Sequence, residues 1–265
     1  MIKLYDLLTE QVGSPKAIIL AGAPGAGKSS IVGDIISGIK VLNIDDYYIQ
    51  NLKDAGVSLD LKRGDATSRS KAAIAMQQAK KTYDKQLATD IDKLENIVID
   101  GTAASYNKTK QLKDNLENAG YKVLMVYVYA SLKKSLKKND DRFERSKGKD
   151  RSLAPAIVMR TWSEVTKNFF PYMELFGDNF VATTKDKKLA DSQSLEDITD
   201  KYITPYKPTN TKPKTPAQKA RSEKNREALK QQVIKLMKKD NIDKIIPNIV
   251  SKEEAQNKIR TFLGK

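Results

Sequence analysis

Residues Gly22, Ala23, Pro24, Gly25, Ala26, Gly27, Lys28 and Ser29, followed by Ser30, run in the spacing G-x-x-x-x-G-K-[ST]. Such a stretch can cradle phosphate. Its glycines let the backbone curl so that successive N–H groups point inward at anionic oxygens, and a helix starting there adds the positive end of its dipole. The lysine of such a loop reaches the β and γ phosphates of a nucleotide, and the serine hydroxyl suits Mg²⁺. Gly22 to Ser30 are therefore expected to bind ATP, with Lys28 also catalytic and Ser29 on Mg²⁺. A guanine-reading Asn-Lys-x-Asp motif is missing, since Asn107-Lys108-Thr109-Lys110 lacks the acid.

Two acidic strand ends follow. Asp45 and Asp46 close the run Val41 to Ile44, and Asp100, Gly101 and Thr102 close Ile97 to Ile99. Ligands of open α/β sheets bind at the carboxyl ends of strands. Phosphoryl transfer to a hydroxyl needs a carboxylate that orients it and accepts its proton. Adjacent residues on an extended backbone face opposite ways, so one of Asp45 and Asp46 can face the phosphate. Asp45 is expected to be the base and Asp46 to lie on the acceptor side. Asp100 is expected to hold hydrated Mg²⁺ or the acceptor, with Gly101 and Thr102 beside it. Between Asp140 and Ser152 stand Arg142, Arg145, Lys147, Lys149 and Arg151, around Gly148. This composition suits a mobile lid whose arginines stabilise the charge of a transferring phosphoryl group. Arg142 and Arg151 are the catalytic candidates and Arg145 a further nucleotide contact.

The elements around these residues alternate. Apolar strands are expected at Lys16–Ala21, Lys40–Ile44, Asn96–Asp100, Lys122–Tyr129 and Asn179–Thr183. Helices are expected at Ser29–Ile36, Thr67–Leu87, Asn107–Asn118, from Ser131 to Lys138, and at Pro155–Asn168. Continuous apolar strands separated by helices predict an α/β fold, a parallel sheet of the P-loop NTPase type with helices on both faces. The 265 residues divide by composition into a kinase-like body at 1–200, a Pro- and Lys-rich linker at 201–220 and a basic helical tail at 221–265. Of the net charge of +15, the part from residue 201 onward carries +11. The tail's helices, Glu223–Lys239 and the one capped at Ser251, could pair as a hairpin or dock on the body. The absence of cysteine and histidine excludes disulfides, thiolate or imidazole metal sites and His-based triads. No apolar run approaches the roughly 20 residues that span a bilayer, and an intracellular, cytoplasmic location is expected, with no membrane partner.

Together these pieces resemble the zeta-toxin-like P-loop kinases, many of them encoded by bacteria and phages, over about residues 15–185. The resemblance rests on the loop at 22–30, Asn43-Ile44-Asp45-Asp46, Ile99-Asp100-Gly101-Thr102, Gly120-Tyr121-Lys122-Val123 and the Arg142–Pro155 segment. It implies that Asp45 is the base, that Asp100 stands where the family usually has an acceptor-side glutamate, and that Arg142 and Arg151 clasp the nucleotide phosphates. Well-known members phosphorylate the 3′-hydroxyl of a UDP-activated amino sugar. The segment Ile49–Asp65 and the basic tail have no obvious counterpart. The Asn-x-Asp-Asp-Tyr pattern is also similar, more weakly, to phage polynucleotide 5′-hydroxyl kinases, which carry arginine where Ile44 and Tyr48 stand.

The expected activity is thus transfer of the ATP γ-phosphate to an acceptor hydroxyl, on a UDP-amino sugar or another nucleotide-containing small molecule. A 5′-hydroxyl polynucleotide kinase and a non-catalytic nucleotide-dependent binding protein are the alternatives. Expected partners are the small acceptor, nucleic acid or an acidic molecule at the basic tail, and an antitoxin-like protein; a phage-encoded chain would work in host cytoplasm.

Overall fold

The structure, a computed structural model, describes residues 13–61, 65–185 and 215–265. Six parallel strands form one sheet in the order β2-β3-β1-β4-β5-β6. They are β1 (Lys16–Ala21), β2 (Lys40–Asn43), β3 (Ile97–Asp100), β4 (Lys122–Tyr129), β5 (Phe180–Thr184) and β6 (Ile249–Val250). The helices are α1 (Lys28–Val32), α2 (Ile44–Asp54), α3 (Ala66–Asp92), α4 (Tyr106–Asn118), α5 (Leu132–Arg145), α6 (Pro155–Lys167), α7 (Phe169–Phe176), α8 (Pro216–Met237), α9 (Lys239–Ile245) and α10 (Lys252–Leu263). The expected α/β architecture is present.

Strand composition explains the sheet. The central strands β1 and β4 are apolar at nearly every position, as burial on both faces requires. Alternate residues feed two cores. Ile19, Ile97, Met125 and Tyr127 meet Phe169 and Tyr172 on one face. Ile18, Leu20, Val98, Leu124 and Val126 meet Ile31 and Ile259 on the other. The register pairs Leu20 with Asp100 and Asn43 with Asp100, so β1, β2 and β3 end at one level. The phosphate loop and both acidic stretches emerge there, at the carboxyl edge.

Several local features depart from the sequence expectation. After Asn43 the chain turns into helix α2 rather than ending a strand at Ile44. Asn43 Oδ1 accepts from the Asp45 amide at 2.9 Å, and Asp45 and Asp46 occupy the first turn, where carboxylates complement the helix dipole. Helix α1 stops at Val32 because Gly33 takes φ +40°, and a 3₁₀ turn carries on to Ile36. Helix α5 continues through Arg145, so half of the expected lid segment is helical. Helix α7 and strand β6 were not foreseen.

Residues 215–265 pack on the body. Helix α8 begins at Pro216, inside the stretch read as linker, and Thr215 closes a capping box with Gln218; residues 201–214 lie outside the described ones. Val233, fully buried, joins Trp162, Leu136 and Leu153. Strand β6 extends the sheet beside β5. Helix α10 lies on α1: Gln256 donates to the Ile31 carbonyl at 2.9 Å, and Lys265 Nζ donates to the Ile35 and Ser37 carbonyls at 2.8 and 3.1 Å. The tail thus docks on the body instead of forming a separate hairpin.

Ile259 of α10 has no exposed surface. Ile259→Ala is expected to cost roughly 2–5 kcal/mol in urea unfolding, whereas Ile246→Ala, at a site 36 % exposed, stays within about 0.5 kcal/mol of the parent. Equal midpoints for the two variants would show that α10 is not part of the cooperative core.

Candidate active site

A cleft of about 700 Å³ opens at the carboxyl edge of the sheet. The phosphate loop forms one side through Pro24, Gly25, Gly27, Lys28 and Ser29. Asn43, Ile44, Asp45 and Tyr48 face in from the start of α2, and Asp100, Gly101 and Thr102 from the end of β3. Arg142, Arg145, Asp150 and Arg151 close the third side. Residues far apart in sequence meet here because parallel strands deliver their following loops to the same edge.

The loop is built for close backbone approach. Gly25 and Gly27 adopt φ +78° and +92°, which favour glycine. A Cβ on Gly25 would lie 2.9 Å from Lys138 Cβ, tighter than real contacts allow. The Gly22 amide donates to the Thr102 carbonyl at 3.2 Å, tying the loop to the chain after β3. That chain is pinned in turn, because Tyr172 Oη donates to the Ala103 carbonyl at 2.7 Å and Asn168 Nδ2 to the Ala104 carbonyl at 2.9 Å. Ala103 keeps φ +52°, a left-handed conformation these bonds help to hold.

Lys28 is the charged floor. Its side chain is 14 % exposed, donates to the Gly22 carbonyl at 3.3 Å and lies 4.0 Å from an Asp100 oxygen. Burial lowers its pKa; Asp100 and Asp45 oppose that, and Arg142 adds to it. Asp100 accepts from Asn43 Nδ2 at 3.1 Å. Burial raises the Asp100 pKa, Lys28 pulls it down, and Asp45 and Asp46 push it up. Asn43 thus both caps α2 and steers Asp100.

Asp45 Oδ1 accepts from Arg151 Nη2 at 2.5 Å. The Arg151 guanidinium also lies over the Tyr48 ring, 5.3 Å from its centroid. Arg151 is 8 % exposed, and its Nε is buried with no hydrogen-bond acceptor among the described residues. An anionic oxygen entering the cleft would satisfy that donor. Arg142 Nε pairs with Asp150, and Arg145 Nη2 donates to the Lys138 carbonyl at 2.8 Å. Ser152, next to Arg151, is fastened to the segment before α3: its Oγ donates to Asp60 at 2.7 Å and its amide to the Leu59 carbonyl at 3.1 Å.

Most of the sequence-selected residues line the cleft, but not all. Asp46, expected on the acceptor side, is exposed and is not among the residues lining the cleft, although its charge acts on Asp100. Gly22, Ala23 and Ala26 support the loop from behind, and Ser30 Oγ donates to the Gly27 carbonyl at 2.7 Å rather than facing the cleft. Sequence reasoning missed Lys138, Asp150, Tyr48 and the bridging Asn43. Lys138 stands four residues before Arg142, a helical spacing that would have placed it on the same face.

The residues present fit ATP and Mg²⁺. The cradle accommodates phosphate where a Cβ would clash, and Ser29 with Asp100 offers a hydroxyl and a carboxylate. Among the described residues there is no group of three or more acidic side chains able to hold a metal. A nucleotide-bound Mg²⁺ does not require one, since phosphates and water fill most of its positions. Among the described residues no helix is long and apolar enough to cross a membrane.

The Asp100 carboxyl is expected to titrate above 3.8, its ordinary value, when followed by ¹³C NMR in the ligand-free protein. Lys28→Met removes the charge that favours the ionised form, so the Asp100 midpoint should rise further. A midpoint unmoved by the substitution would break the proposed coupling.

The zeta toxin family model matches residues 3–171. No curated protein matches the chain. Among solved structures it is similar to a putative kinase from Chloroflexus aurantiacus, at 15% identity over 51% of this chain and 70% of that one, with a TM-score of 0.41. It is similar to the PezAT chromosomal toxin-antitoxin system of Streptococcus pneumoniae, at 15% identity over 86% and 89% of the two chains, with a TM-score of 0.45. It is also similar to the AvrRxo1-ORF1:-ORF2 complex with ATP, at 14% identity over 85% and 78%, with a TM-score of 0.48. Because the family match spans more than half of its length, this chain belongs to the zeta toxin family.

Proposed function

We propose that the chain transfers the γ-phosphoryl group of ATP to an acceptor hydroxyl. One observation carries the reading: a glycine cradle with a buried lysine, a carboxylate on a helix start and two arginines share one cleft. MgATP, when bound, supplies the phosphoryl group and its activation. Lys28 and the loop amides hold the phosphates, while Ser29 and Asp100 hold the metal. Asp45 accepts the acceptor's proton. Arg142 and Arg151 stabilise charge on the transferring group. Arg151 Nη2 holds Asp45 in the structure. Its Nε, without an acceptor among the described residues, can take a phosphate oxygen, and release of the Nη2 bond would leave Asp45 open to the hydroxyl.

The acceptor is proposed to be a nucleotide-containing small molecule such as a UDP-amino sugar, supported by family membership and by a cleft large enough for more than a triphosphate. Family membership also supports an antitoxin-like protein partner. A second reading, a 5′-hydroxyl polynucleotide kinase, draws on Lys219, Arg221 and Lys224, exposed on α8.

Purified protein with γ-labelled ATP and Mg²⁺ should label a UDP-amino sugar. Asp45→Asn should lower turnover by about 10²–10⁴-fold while keeping ATP affinity, and Lys28→Ala should lose both. Label on 5′-hydroxyl oligonucleotides alone would favour the second reading. Full turnover by Asp45→Asn would remove the base assignment.

A further inference from the structure

Lys138 lies across the rim of the cradle. A Cβ on Gly25 would meet its Cβ at 2.9 Å, and one on Gly27 would lie 3.6 Å from its Nζ. The side chain therefore spans the loop from one glycine to the other, and it lines the same cleft as Lys28. Its root is fixed. Leu136 and Ser135 are fully buried. Buried Asn139 exchanges hydrogen bonds with the Leu153 backbone at 2.8 and 2.9 Å. One turn earlier, Lys134 Nζ donates to the Lys185 carbonyl at 3.0 Å, bolting α5 to the chain after β5.

We propose that Lys138 is a nucleotide-binding residue: a second ammonium, carried on an anchored helix, that grips the polyphosphate chain from the rim while Lys28 holds it from the floor. This rests on reading the cradle as a nucleotide site. The chemistry is charge counting. Each added phosphate brings negative charge between the two ammonium groups, so Lys138 favours a triphosphate over a monophosphate. Arg151 sits in the irregular loop after α5. Lys138 sits on a helix anchored in the core and is already at the loop, so it acts in ground-state binding.

Calorimetric affinities for ATP, AMP and inorganic tripolyphosphate test this without any acceptor. Lys138→Met keeps the stem and removes the charge. It should weaken ATP and tripolyphosphate by about 10-fold or more and AMP much less, and Lys138→Arg should restore most of the loss. Lys137→Met, on the exposed side of α5, should bind all three as the parent does. ATP affinity within twofold of the parent in Lys138→Met would overturn the proposal. So would equal losses for ATP and AMP, which mark a structural role. Lys28→Met, run in parallel, tests the cradle itself: unchanged ATP affinity there would sink the underlying reading whatever Lys138 does.

Discussion

The site is organised around the largely desolvated ammonium of Lys28. Placing the Lys28 ammonium at the floor of the phosphate loop costs solvation, and the fold must return that cost through nearby negative charge. Asp100 supplies it directly and Asp45 from the next strand end, which requires β1, β2 and β3 to terminate together. The parallel register does this, and Asn43 sets the aim by donating to Asp100 while capping the helix that carries Asp45. The cleft holds a set of pairs: Lys28 near Asp100, Arg151 on Asp45, Arg142 on Asp150. A phosphate chain would compete for every cation in it.

This balance also explains the division of labour among the basic residues. Those on the loop and on α5 are anchored by buried neighbours. Arg151 follows α5 in an irregular segment and is held by a carboxylate and an aromatic face, interactions that a more highly charged ligand can replace.

Much of this was legible in the sequence where the signal is local. The cradle, its lysine and its serine are contiguous, and strand-length apolar runs revealed the sheet. Asp45 and Asp100 could be picked because strand ends are where ligands sit. Helix α2 was missed because Val41 to Ile44 reads as a strand running on, and only Asn43's side-chain bond shows where the helix starts. Lys138 was hidden in a lysine-rich run that looks like solvated surface until α5 is docked against the loop. Strand β6 has two residues and exists only through its pairing with β5, so nothing local announces it.

The bond from Gln256 to the Ile31 carbonyl joins positions 225 residues apart. A chain made from its amino end forms the phosphate loop early and the helix that braces it late. Contacts this distant in sequence form only after a long loop closes. During synthesis the loop and its helix therefore wait about 225 residues for this brace. For a family named for toxicity, that order ties the maturation of the site to the arrival of helix α10.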